Sequence, residues 1–136
     1  HVDASRRALA EIESSGRADL AAAERAVRTG DPLTALDILA KVEATYGQSA
    51  LGRQARQRRE TLENTNDLGR RWRERNELRR QAEALAQYAV AQRLVAENRF
   101  DAARLQCEEI LIRYADTPAA DRARYLRDLL DARGVK

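Results

Sequence analysis

The chain is 136 residues long, 43% hydrophobic and 35% charged, with a formal net charge of +3. That length suits one domain with a continuous core and is short for two independent ones. Aromatic content of 4%, with two prolines and six glycines, excludes a sheet-rich or disordered chain and predicts closely approaching helices.

Residues 3–29 read as a helix with a weak point at Ser14-Ser15-Gly16. Gly30 can take the left-handed conformation that ends helices. Asp31-Pro32 restarts the chain, Asp as N-cap and Pro at the first helical position, where its missing N–H costs nothing. From Pro32, Ala35, Leu36, Leu39, Val42 and Tyr46 fall on one face, and Gly47 ends the run. Ser49 caps a third helix over about 50–63, with Leu51, Ala55 and Leu62 as its sparse apolar positions. Asn64-Thr65-Asn66-Asp67 is the clearest break.

A long helix over about 70–97 follows. Leu78, Ala82, Leu85, Ala86, Ala89, Val90 and Leu94 make its broad apolar face, and Ala84, Tyr88, Ala91 and Val95 a second strip. Two apolar sides predict a central helix sandwiched between neighbours. Asn98 suits another left-handed end. The next helix, about 100–114, carries Phe100, Ala103, Cys107, Ile110, Leu111 and Tyr114. Thr117-Pro118 repeats the cap-plus-proline start, Ala119, Ala123, Leu126 and Leu130 line the last helix, and 131–136 frays.

The chain is written twice. An offset of 68 positions lays Gly30 on Asn98, Ala35 on Ala103, Val42 on Ile110, Tyr46 on Tyr114, Ser49 on Thr117 and Ala55 on Ala123. The expected architecture is therefore all-α: a right-handed stack of six antiparallel helices. It is a single domain over 1–136, made of two three-helix units, 1–68 and 69–136, sharing one core.

Asn98-Arg99-Phe100-Asp101-Ala102-Ala103 resembles the turn of a tetratricopeptide repeat. Ala91 and Leu94 stand where that family places packing residues on the first helix, and Cys107 and Ile110 match the second. Tyr114 through Ala120, with Ala123, looks like the repeat ending common in bacterial members, with Ala115 in place of a proline. In the first copy Ala23, Ala26, Gly30, Ala35, Leu39, Val42, Tyr46 and Ser49 fit, with Pro32 in place of the turn aromatic. The resemblance spans about 17–62 and 85–130. It implies a tetratricopeptide-like superhelix that binds another protein or peptide and carries no catalysis. Many bacterial members work in the cell envelope, which leans the location to its periplasmic side, with the cytoplasm as the alternative. The family's groove, lined by first helices, carries over to Arg17, Glu24 and Arg28 in the first copy, and to Tyr88, Gln92 and Ala96 in the second.

Chemistry-bearing residues are few. His1 is the sole histidine, without a metal or acid–base partner. Cys107 sits on an apolar stripe as a structural thiol, and as the sole cysteine it excludes an intrachain disulfide. Glu108-Glu109 lacks metal-loop spacing, and no glycine-rich phosphate loop occurs. The expectation is a non-enzyme without cofactor or metal. No apolar run reaches the roughly 18–20 residues that cross a bilayer, so no membrane insertion is expected. A start at His1 and the lack of methionine read as a domain excised from a larger protein.

Nucleic-acid binding is the rival reading. Ten arginines against five acids leave 53–80 at +5, with Trp72 among them. Arg53, Arg56, Arg59, Trp72 and Arg73 head a basic patch with an aromatic for base stacking. The plainer alternative is ordinary ion pairing with the interleaved acids, with Trp72 packing where the long helix crosses the third. Self-association is the second rival: Trp72 or Tyr125 on an end helix would seed a homodimer.

Overall fold

The computed structural model describes residues 2–134, with side chains from residue 3 onward. His1 and Lys136 lie outside the described residues. These form an all-α protein: α1 (Val2–Arg28), α2 (Pro32–Tyr46), α3 (Ala50–Glu63), α4 (Leu68–Ala96), α5 (Phe100–Arg113) and α6 (Pro118–Ala132). No described helix is long and apolar enough to cross a membrane.

Local chemistry sets the helix ends. Gly30 and Asn98 both adopt the left-handed conformation, at φ +82° and +60°. The Asp31 carboxylate accepts from the Thr34 N–H at 3.3 Å and from its hydroxyl at 2.7 Å, closing the first turn of α2. Thr117 does more at α6. Its buried hydroxyl accepts from the Ala120 N–H at 3.2 Å and donates to the Tyr114 carbonyl at 2.6 Å, so one side chain ends α5 and starts α6.

Two compact units divide the chain, the first ending at Arg73 and the second starting at Glu74, inside α4. In the first, Leu36, Leu39 and Val42 of α2 are buried with Ala23, Ala35, Ala55, Leu62 and Leu68. Each of the three large side chains contributes roughly 1.5–3 kcal/mol on burial. Tyr46, expected in that stripe, stays half-buried at its edge. In the second unit, Cys107 and Ile110 of α5 and its C-cap Tyr114 pack with Ala84 and Ala91 of α4 and Ala119, Ala120 and Ala123 of α6.

Two expectations are corrected. The Ser14-Ser15-Gly16 segment does not interrupt α1, which runs through it. Gly16 is buried, and an added Cβ there would stand 2.7 Å from Leu51 Cδ1 and 3.1 Å from Tyr46 Cζ. In α4 the broad leucine face is not the buried one. Leu78 and Leu85 are 66% and 50% exposed, whereas Ala84 and Ala91 of the narrower strip are fully buried. Two alanines seven positions apart let neighbouring helices approach more closely than leucines would, so the smaller residues win the core.

Gly52 gives a test of such an approach. A Cβ there would fall 2.0 Å from the Gly47 carbonyl oxygen, whereas its counterpart in the second unit, Ala120, is accommodated at 1% exposure. Helix propensity alone would make Gly52→Ala stabilising by about 1 kcal/mol. Overpacking against backbone reverses the sign. We expect a loss of about 1–3 kcal/mol, read from the urea midpoint.

Candidate interaction surface

In the first unit, α1 and α3 flank a groove with α2 beneath. Leu20 and Glu24 of α1, Leu39 of α2, and Gln54, Gln57, Arg58 and Thr61 of α3 line a cavity of about 380 Å³. Arg58 and Glu24 meet on its wall. Nε donates to Oε1 at 2.6 Å and Nη2 to Oε2 at 3.1 Å, a two-point fork. The bond to Glu24 raises the Arg58 pKa above its ordinary value. Both side chains keep solvent access, at 36% and 42% exposure, so the pair orients more than it stabilises.

Of the groove residues expected in this unit, only Glu24 faces that cavity. Arg17 is exposed, 3.7 Å from Glu13, and lines a separate cavity with Leu9, Ile12, Tyr46 and Leu51. Arg28 is exposed in the last turn of α1, where its charge suits the helix dipole. The α3 residues of the groove are absent from the sequence-derived site. The signal for them is the separation. Arg58 reaches Glu24 over 34 positions and Tyr46 reaches Ile12 over 34, while Trp72 reaches Asp37 and Arg80 reaches Ala115 over 35. Two of these bonds, Arg58 to Glu24 and Trp72 to Asp37, join helices two apart along the chain, at about half of the 68-residue offset.

The arginines of the first unit are largely engaged. Arg59 is held between two helices: its Nε and Nη2 donate to Glu43 at 2.6 and 3.1 Å, and its Nη1 to Glu63 at 2.5 Å. Arg73 approaches Glu63 from α4 at 3.8 Å, and Arg56 pairs with Glu60 at 3.1 Å. Arg53 lines a small cavity with Glu43, Gly47 and Arg56. The Trp72 indole packs half-buried on the first core, and its Nε1 donates to Asp37 at 2.9 Å. Its hydrogen-bond partner is thus on α2, whereas the packing reading placed the ring at a crossing with α3.

In the second unit Tyr88 packs half-buried against the core and Gln92 is exposed, as is Ala96. Leu78, Gln81, Ala82, Leu85, Pro118, Ala119 and Arg122 enclose about 290 Å³. Moved by 68 positions, Glu13, Arg17, Ala50, Leu51 and Gln54 of the Leu9–Ile12 cavity become Gln81, Leu85, Pro118, Ala119 and Arg122. One groove occurs in both halves, apolar in each and differently charged. Tyr125 is 69% exposed on α6. Among the described residues no cluster of three or more His, Cys, Asp or Glu side chains could hold a metal.

Two titrations check these contacts. The hydrogen bond from Arg59 is the main cause that lowers the Glu43 pKa below its ordinary 4.5, against the opposing effect of burial. A depressed carboxylate adds stability that is present above the ordinary value and lost as pH falls through the lowered one. A double-mutant cycle with Glu43→Gln and Arg59→Gln should therefore give a coupling of about 1–2 kcal/mol at neutral pH. It should shrink below about pH 4.5 in acid denaturation series. For Cys107, burial pushes the thiol up to about 11. Its labelling by a disulfide reagent at pH 8 should be far slower than that of an exposed thiol and should accelerate as denaturant opens the second unit. No protein-family model, curated protein or solved structure matches the chain.

Proposed function

We propose that this chain is a non-catalytic interaction scaffold of tetratricopeptide-like design, and that the groove between α1 and α3 receives an extended segment of a partner protein. The carrying observation is the composition of that cavity. Leu20 and Leu39 offer an apolar floor, Gln54 and Gln57 offer amides able to bond a peptide backbone, and Glu24 with Arg58 offers one charge of each sign. Such a site recognises a main chain by its amides and reads one apolar and one charged side chain. The recurrent separation of 34–35 residues supports the repeat assignment, since a tetratricopeptide unit is about 34 residues long. Under the same reading the location leans to the bacterial cell envelope.

The engagement of Arg56 and Arg59 by carboxylates, and of the Trp72 indole by Asp37, favours this reading over nucleic-acid binding. Phosphates would have to displace those acids, and the ring is already packed in part against the first core.

The test is selection of a displayed peptide library on the whole chain, then titration of the recovered peptides. Leu20→Arg and Gln57→Arg should each weaken binding by about tenfold or more, and the affinity should change little with salt. Peptides that bind both variants as well as the parent would remove the α1–α3 groove. Affinity for single-stranded nucleic acid that falls steeply with salt would move the function to the arginines.

A further inference from the structure

The apolar stripe of α1 outruns the helices that cover it. Gly16, Leu20, Ala23 and Val27 face the first unit's interior, and the same spacing continues backward to Ile12 and Leu9. These two remain 50% and 60% exposed. They rim a groove of about 340 Å³ whose far wall is Tyr46, Ala50 and Leu51. The overhang is fixed at the groove's edge, because the Tyr46 hydroxyl donates to the Ile12 carbonyl at 3.2 Å.

The charges beside this stripe name an occupant. Arg6 and Glu13 are exposed and seven positions apart, almost two turns, so they flank Leu9 and Ile12 on one side of the helix. Opposite signs at such a spacing are self-complementary under a two-fold rotation. An antiparallel copy of α1 sets its Arg6 against Glu13 and its Glu13 against Arg6, whereas in a parallel copy this flank faces the partner's other flank and the two charges do not meet. Glu13 already faces Arg17 of its own helix at 3.7 Å, so that pair orders the carboxylate at the groove's rim.

We propose that the α1 overhang is a homodimerisation surface. A second copy of this chain crosses it antiparallel at Leu9 and Ile12, and each copy places those two side chains in the other's groove beside Tyr46 and Leu51. Trp72, half-buried with its indole bonded to Asp37, is outside this contact. Four large apolar side chains at the two-fold make a small interface of the weak, transient kind, so the dimer exchanges with monomer on dilution.

Sedimentation velocity of the whole chain over a dilution series tests this, with circular dichroism to establish that each variant folds. The parent should pass from dimer to monomer on dilution. Leu9→Glu with Ile12→Glu should leave a folded monomer. Arg6→Glu alone and Glu13→Arg alone should each raise the dimer Kd about tenfold, by setting like charges together. The double variant Arg6→Glu with Glu13→Arg restores opposite signs and should recover the parent's Kd. A parent that is monomeric at every concentration overturns the proposal. So does a dimer that survives Leu9→Glu with Ile12→Glu, or a double charge swap no better than the single ones.

Discussion

Close approach between helices is the constraint on which the rest depends. With so few aromatics, the interior is built on Ala23, Ala35 and Ala55 in the first unit and Ala84, Ala91, Ala103 and Ala123 in the second, all fully buried. An alanine removes little apolar area from water, so each contributes little by transfer. Its value is geometric. Helix axes come near enough for the few large residues, Leu36, Leu39 and Ile110, to fill what remains at the density of a protein interior.

Thin helix-to-helix layers also bring the polar surfaces close. Arginines on α3 reach α1 and α2 directly, so Glu24 and Glu43 are met by forked guanidinium contacts and not left to water. Arg59 is the clearest case. It ties Glu43 of α2 to Glu63 at the end of its own helix, and α4 adds Arg73 to the same carboxylate. In the first half of the arginine run, Arg58 and Arg59 act as inter-helix ties, whereas Arg56 pairs within α3.

The sequence revealed the punctuation of the fold more fully than its faces. Asp31-Pro32, Ser49, Asn98 and Thr117-Pro118 act through bonds within a few positions, so their effects are local and visible without tertiary knowledge. The faces of α4 were not legible, because periodicity finds two apolar stripes and cannot rank them. Residue size ranks them, and size matters only once a neighbour is present. Gly16 misleads for the same reason: its low helix propensity is a local term, and the contacts with Tyr46 and Leu51 outweigh it. The groove was legible at Glu24 but not at Arg58, since joining them requires the separation at which α1 and α3 pass.

That separation has a consequence for how the protein forms. The side-chain ties between helices described above span between 10 and 35 positions, so each connects elements that leave the ribosome within seconds of one another at ordinary elongation rates of roughly 5–20 residues per second. Loops this short cost little entropy to close, which favours rapid assembly. The core of the first unit is made by residues that all precede position 74, so it can begin to consolidate before the second unit has been synthesised.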